Sequence, residues 1–391
     1  MRKTVCIEDV AVVNPSLVRK VLAEPERPVS FLPMAGVSED GVLVHAEERM
    51  LSEVARGYRY FGRGDILVAK ITPCMENGKA LFAEDLPHDI GFGSTEFHVL
   101  RPKGDVDPQY LFFAIWNPLF RHVAEKNMTG TAGQRRVPTE FLRKYRIPFP
   151  SKEEQHRIAI CLRRASGILR KRRDAIGLCD ELLQSVFLEM FGDPTGNPKG
   201  WKLMELSRIG TITTGNTPSR ARPEYYSEGV EWIKSDNINT PSHFLARSAE
   251  TLSPLGESVG RVVPAGSILV TCIAGSRDCI GNAAIADRRV AFNQQINAIT
   301  PAADVEPFFL YTQLLVGKRL IQTASTDSMK GLVSKSKFAA IRVMVPPKKE
   351  QGAFVKVFRR IQAELRIREQ ALEASEALFA SVVQRAFGAG Q

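Results

Sequence analysis

Two stretches of this chain follow one template. Pro150–Gly192 aligns with Pro346–Gly388 at a constant offset of 196, without a gap, and 15 of the 43 positions are identical. The identities include Lys152/Lys348, Glu154/Glu350, Gln155/Gln351, Arg163/Arg359, Arg172/Arg368, Ser185/Ser381 and Phe191/Phe387. A repeat of this length constrains the fold strongly, because each copy must present the same kind of surface and the two surfaces can cover each other. The regions ahead of the copies match more loosely. Gly64-Asp-Ile-Leu-Val68 echoes Gly266-Ser-Ile-Leu-Val270, and Val106-Asp-Pro-Gln-Tyr-Leu111 echoes Val305-Glu-Pro-Phe-Phe-Leu310. The order is therefore domain, segment, domain, segment, with segments that agree well and domains that agree poorly.

Each segment reads as a long helix. Ser151-Lys-Glu-Glu154, just after a proline, is a helix-start pattern. Apolar residues then alternate at four and three: Ile158, Leu162, Ala165, Leu169, Arg172, Ile176, Cys179, Leu183, Val186 and Met190. The second copy gives Phe354, Phe358, Ile361, Leu365, Arg368, Leu372, Ser375, Phe379, Val382 and Ala386. A seam sustained over about five heptads predicts a coiled coil, and each helix would be ~60 Å long. The seam needs a partner, and the other copy is the nearest one. Two similar halves related by a twofold axis would pair their helices antiparallel, with a domain at each end. Arg172 and Arg368 interrupt the seam at equivalent positions. They either snorkel to solvent or fix the pairing register, as polar seam residues do.

The expected fold class is α+β: two globular mixed α/β domains joined by two long helices packed as an antiparallel coiled coil, pseudo-twofold symmetric. The expected boundaries are 1–150 for the first domain, 151–192 for the central helix, 193–200 for a Gly/Pro linker, 201–346 for the second domain and 347–388 for the C-terminal helix. Short β runs (Ile66–Ala69, Phe97–Leu100, Ser267–Val270, Ala298–Thr300) alternate with Gly/Pro/Asn loops, and helical stretches follow at Pro108–Ala124 and Pro307–Ile321. Long polar loops on a small sheet are where recognition residues tend to sit.

Charge is distributed unevenly. The chain is +10 overall, yet residues 1–100 carry 11 Lys/Arg against 15 Asp/Glu. Residues 101–150 carry 9 against 4, and residues 301–350 carry 8 against 4. Two separated basic zones fit a nucleic-acid binder, although a solvated basic surface with no partner would look the same. An apolar share of 44% excludes global disorder. No apolar run approaches the ~20 residues of a spanning helix. Glu8 and Asp9 interrupt the N-terminus before a signal-peptide core can form. Six cysteines without a CxxC pair argue against a disulfide framework or zinc ribbon, so the expected compartment is the cytoplasm.

Catalytic signatures are missing. The sequence has no GxxxxGK[ST] loop and no HExxH. No lysine follows an acid by two positions, so the acidic-x-Lys pattern of metal-dependent nucleases is absent. Gly62-Arg-Gly64 and Gly91-Phe-Gly93 lack the third glycine of a dinucleotide fingerprint and read as turn glycines. Cys272 and Cys279, with no paired His, read as small packing residues rather than a metal site. The inventory points to a binding protein.

Two variable halves, two similar helices, Phe191-Gly-Asp-Pro194 and Asn197-Pro-Lys-Gly-Trp201 together resemble the specificity subunit of type I restriction-modification systems. Ala69-Lys-Ile-Thr-Pro-Cys-Met-Glu-Asn-Gly-Lys79 with Ser94-Thr-Glu-Phe97, and Trp232-Ile-Lys-Ser-Asp236 with Asn293-Gln-Gln295, are similar to target-recognition segments of that family. The resemblance implies a non-catalytic subunit whose two target-recognition domains each read one half of a bipartite double-stranded DNA site. The helices would set the spacer and dock two methyltransferase subunits. No cofactor is expected on this chain. S-adenosylmethionine would sit on the methyltransferase partners, and ATP and Mg²⁺ would serve restriction subunits where these are present.

Arg and Lys suit phosphates or guanine edges, and Asn and Gln suit adenine. The candidate DNA contacts in the first half are therefore Lys70, Thr72, Asn77, Lys79, Thr131, Gln134, Arg135 and Arg136. In the second half they are Thr217, Ser219, Arg220, Lys234, Asn237, Arg277, Gln294 and Lys330. Two readings compete with DNA recognition: a single-chain DNA nuclease assembled from distant residues, and a two-headed scaffold that binds only proteins.

Overall fold

The computed structural model describes residues 3–17, 23–131, 133–326 and 331–388. It divides into two compact units, Met1–Asp174 with Arg368–Gln391, and Ala175–Ile367. Each unit therefore holds half of each long helix.

In the first unit the strands are β1 (Thr4–Cys6), β2 (Ala11–Val13), β3 (Pro28–Leu32), β4 (Glu47–Met50), β5 (Arg59–Gly62), β6 (Ile66–Ala69), β7 (Ala80–Phe82), β8 (Ile90–Gly93), β9 (Phe97–Pro102) and β10 (Arg146–Pro148). They form one sheet in the order β2-β9-β6-β7, a second in the order β4-β3-β8-β5, and a β1-β10 ribbon. β6 is buried along its whole length, which explains its unbroken apolar run. Its residues alternate between two cores, as the period-two strand geometry requires. Ile66 and Val68 pack beneath the helix Pro108–Trp116, while Leu67 and Ala69 face Leu32 and Phe61 of the second sheet.

The second unit is built the same way. Its strands are β11 (Leu203–Glu205), β12 (Gly210–Thr214), β13 (Val230–Ile233), β14 (Thr251–Leu252), β15 (Val262–Val263), β16 (Ile268–Thr271), β17 (Ile273–Ala274), β18 (Ala283–Ile285), β19 (Val290–Phe292), β20 (Ile296–Pro301), β21 (Gly331–Leu332) and β22 (Arg342–Met344). The sheets run β12-β20-β16-β18 and β14-β13-β19-β15, with a β11-β22 ribbon. Even the parallel pair is repeated, β3 with β8 and β13 with β19. Again β16 alternates, with Ile268 and Val270 toward the helices and Leu269 toward Ile233 and Phe292.

Two local expectations are corrected. Gly91 and Gly93 lie in β8, not in a turn. A Cβ at Gly91 would fall 2.3 Å from the Phe61 ring, so glycine is there to admit that ring. The helical stretches are also each two helices. Pro118 has no N–H to continue the ladder, and Asn117 caps Pro118–Lys126 by accepting from the Phe120 amide at 3.0 Å. In the second unit Pro307–Val316 and Lys318–Thr323 part at Gly317.

The repeated segments are helices Lys152–Phe191 and Lys348–Phe387, 40 residues each. Every seam position named from the spacing is buried or half-buried. In the first unit Leu162 and Leu169 share a core with Leu372, Phe379, Val383 and Ala386. In the second, Leu183 shares one with Phe354, Phe358, Ile361 and Leu365. The start of each helix thus meets the end of the other, which makes the pair antiparallel. Arg172 and Arg368 are both half-buried.

One repeated pair of residues fastens each helix to its sheet domain. Gln155 accepts from the Asp107 amide at 2.9 Å and donates to the Pro150 carbonyl at 3.0 Å. Gln351 does the same with Glu306 and Pro346, at 2.9 and 2.8 Å. Both glutamines are about 99% buried, so loss of either would strand a donor and an acceptor at a cost of about 1–3 kcal/mol.

Candidate nucleic-acid interface

In the first unit, two segments named separately from sequence lie side by side. The Thr129–Arg136 loop folds back on itself, with reciprocal Thr129 and Arg136 backbone bonds of 3.0 and 2.8 Å. Its outgoing strand pairs with the segment after β6: the Thr72 amide donates to the Arg135 carbonyl at 3.0 Å and the Val137 amide to the Lys70 carbonyl at 2.8 Å. Gly130 and Gly133, with φ of +117° and +79°, supply the left-handed backbone that turns the tip. Lys70, Thr72, Arg135 and Arg136 are therefore neighbours, with Thr131 and Gln134 exposed on the same loop. Asn77 is exposed and donates to Glu39 at 2.8 Å. Lys79 is half-buried, and its ammonium donates to the Met34 carbonyl at 3.2 Å, a bond that ties down the scaffold.

Carboxylates organise these cations, and the sequence reading did not nominate them. Glu96 accepts from Arg136 Nε at 2.9 Å and Nη2 at 3.0 Å, a side-on fork. This bond holds the Glu96 carboxyl below its usual range, with the Lys70 charge assisting. Burial lowers the Lys70 ammonium, and Glu96 opposes that shift. Glu76 accepts from the Thr72 hydroxyl at 2.5 Å and lies 3.7 Å from Arg135.

Beneath the loop sits His98, 97% buried. Its Nε2 donates to the Val137 carbonyl at 2.8 Å, and Nδ1 faces the Asn14 amide nitrogen at 3.4 Å. Burial pushes its pKa down to about 4, so the ring is neutral at pH 7. The second unit has Asn297 at the matching place on β20. It donates to the Val333 carbonyl at 3.2 Å and accepts from Thr214 at 2.6 Å. Val333 in turn donates to the Cys272 carbonyl at 2.9 Å, as Val137 does to Lys70. The two loops are thus anchored alike, although the anchoring residues differ.

Lys330 lies outside the described residues. Of the other second-half candidates, all but Arg277 gather around β13, β14 and the end of β19. Glu250 accepts from Arg220 at 2.6 Å and also pairs with Lys234. Those two bonds, Lys234 first, hold its carboxyl below the usual range. The Arg220 guanidinium lies 4.1 Å from the Tyr226 ring centroid and 5.0 Å from that of Trp232. Asn237 accepts from the Lys234 amide at 2.9 Å and donates to the Arg247 carbonyl at 3.0 Å, which fixes the turn. Thr217 hydrogen-bonds Gln294. Ser219 is exposed one residue before Arg220. Arg277 stands apart on the turn Arg277–Cys279, exposed, with its carbonyl accepting from Gln322 at 3.2 Å.

Among the described residues no group of three or more His, Cys, Asp or Glu could hold a metal ion. Cys272 is buried, which raises its thiol pKa to about 11. Among the described residues no helix is long and apolar enough to cross a membrane. What both units offer is a surface of charge-paired cations, amides and hydroxyls on a rigid sheet, which is chemistry for reading a polar polymer.

A family model for the type I restriction modification DNA specificity domain matches residues 53–176 and 198–375. The chain belongs to this family. Similar curated members include the type I restriction enzyme EcoEI specificity subunit of Escherichia coli, 38% identical over 182 residues, covering 46% of this chain and 28% of that protein. The EcoAI specificity subunit of Escherichia coli is 38% identical over 177 residues, covering 45% and 28%. The aligned region thus spans only about a quarter of those two relatives. A putative type I restriction enzyme MjaX specificity subunit of Methanocaldococcus jannaschii is 24% identical over 338 residues, covering 80% of this chain and 75% of that one. Among solved structures, the type I restriction-modification S subunit from M. genitalium superposes with a TM-score of 0.58 at 15% identity, covering 98% of this chain and 96% of that chain. A chain from a study of type I restriction-modification assembly gives 0.55 at 18% identity, covering 98% and 97%. At these identities the likeness to family structures is one of fold: two mixed α/β domains with two long helices packed together.

Proposed function

We propose that this chain is the DNA-recognition subunit of a type I restriction-modification complex, acting in the cytoplasm and catalysing nothing itself. Residues 1–150 and 201–346 are its two target-recognition domains, and each reads one half of a bipartite duplex site. The observation that carries this reading is the duplicated unit: the same sheets, the same loop anchor at Val137 and Val333 and the same helix clip occur twice, with different side chains on the candidate surface. Conserved scaffolding under divergent contacts is what two half-sites of different sequence require.

The helices set the spacer and dock two methyltransferase subunits. Support for docking comes from apolar residues the helix seam leaves outside. Ile168 and Leu378 in the first unit, and Leu178, Leu182, Leu188 and Ile367 in the second, are large, apolar and exposed. Ile168 and Leu378 line one shallow groove with Ile160 and Ala165, and contiguous exposed apolar surface of this kind marks a face that a partner covers. S-adenosylmethionine belongs on those partners, and ATP and Mg²⁺ on a restriction subunit.

The test is selection from a random duplex pool by the full chain with a co-expressed methyltransferase subunit. The expected product is two short defined sequences separated by a fixed undefined gap, with binding that weakens steeply as salt rises. Binding with no sequence preference would contradict the proposal, and so would plasmid cleavage by the chain alone with Mg²⁺.

A further inference from the structure

The arginine at the end of the first unit's loop is held in a way its neighbour is not. Arg135 lies 3.7 Å from Glu76 and 4.0 Å from Glu125, loose contacts that leave its guanidinium free to reorient. Arg136 is pinned. Glu96 takes Nε and Nη2 from the side, and the Gln134 carbonyl takes Nη1 at 3.0 Å. A guanidinium carries five N–H groups. Those three bonds leave one N–H on each of Nη1 and Nη2, and the side chain is 41% exposed. The plane is fixed at one edge by a carboxylate, and those two N–H groups remain to donate.

A pinned, half-exposed fork suits a planar pair of acceptors. Guanine presents such a pair, O6 and N7, in the major groove. A phosphate can also take a bidentate fork, so base preference and salt dependence have to separate the two contacts. The base under Glu96 is rigid, because the Glu96 carbonyl accepts from the Lys70 amide at 2.9 Å and the next strand, β9, begins at Phe97, fully buried.

We propose that Arg136 reads a guanine in the half-site of the first domain, with Glu96 as its positioning residue. The proposal rests on the DNA-reading function above. It is confined to one half-site. In the second unit the residue before the anchored Val333 is Leu332, and Gln295 accepts from Cys272 where Glu96 accepts from Lys70. The equivalent fork does not exist there.

The probe is the duplex that the full chain selects from a random pool, followed by a set with each base pair changed singly and each guanine replaced singly by 7-deazaguanine. Arg136→Lys keeps the charge and loses the fork. It is expected to lose roughly tenfold or more of the preference for guanine at one base pair. The remaining positions and the salt slope should stay unchanged. Glu96→Gln should lose preference at the same base pair and no other. In the wild-type chain 7-deazaguanine at that position should cost a similar factor, and in Arg136→Lys it should cost nothing further. Unchanged reading of the second half-site reports that the variants are folded. Uniform weakening on all duplexes with a salt slope reduced by about one would assign Arg136 to a phosphate and overturn the proposal. An unaltered preference would overturn it as well. If Arg136→Lys binds no duplex, the wild-type chain decides: indifference to every 7-deazaguanine substitution overturns the guanine contact. Failure to select any bipartite site would instead strike at the DNA-reading function itself.

Discussion

His98 shows how a single buried side chain ties a surface loop to the stability of the fold. It holds the Val137 carbonyl just past the Thr129–Arg136 loop, and it does so as a neutral ring. An unfolded chain carries this histidine at its ordinary pKa of about 6.5. As pH falls from 6.5 toward 4 the unfolded chain gains a proton that the folded chain refuses, so stability declines across that window and levels off below it. The lost stabilisation is on the order of 3 kcal/mol. Asn297 does the equivalent task in the second unit without a titrating group. His98→Asn should therefore keep the fold at pH 7.5 and flatten the difference in melting temperature between pH 6.5 and 5. A slope as steep as the wild type's would mean that His98 is not the group being protonated. At this scale the sequence was partly legible. Lys70, Thr72, Arg135 and Arg136 were nominated from residue type, and they do come together. Glu96 and Glu250 were not, because an acid looks unsuited to DNA until its cation is seen beside it. Arg136 and Glu96 are 40 positions apart. A strand pairing that no local pattern announces brings them together.

The long helices were the most legible elements, since a four-three spacing over 40 residues admits few other structures. Sheet order was not legible. Strands of two to six residues give weak local signals, and the parallel pairing of β3 with β8 joins segments about 60 positions apart. The helix breaks at Asn117 and Gly317 were written in Pro118 and Gly317 themselves, and the apolar runs across them masked the signal. Arg172 and Arg368 test the register idea at this scale. Replacing both with leucine would complete an apolar seam. The expected outcome is a higher melting temperature together with loss of a single helix pairing, read as new cross-links between cysteines placed on the two helices. A more stable protein with only the original cross-links would show that the arginines merely reach solvent.

For the whole molecule, the repeat was the feature that carried furthest, because one duplication dictates two similar units and an antiparallel helix pair. The geometry of the candidate loops was not legible, since it depends on carboxylates and strand pairings between distant positions. If the helices act as a ruler, their length is encoded in the DNA gap. The two units part after Asp174 in one helix and after Ile367 in the other. Four residues added at both points would lengthen each helix by ~6 Å and leave most of the seam in contact. The expected variant recognises the same two half-sites with a gap longer by roughly one to two base pairs. Recognition of the original gap alone would leave the helices as a docking surface. The most direct measurement of the central claim exchanges residues 1–150 for the first domain of another family member and maps the methylated sequence in cells that supply the methyltransferase subunits. The account predicts that one half of the site changes while the other half and the gap persist. If both halves change together, or neither does, the two domains do not read the DNA independently and the account is wrong.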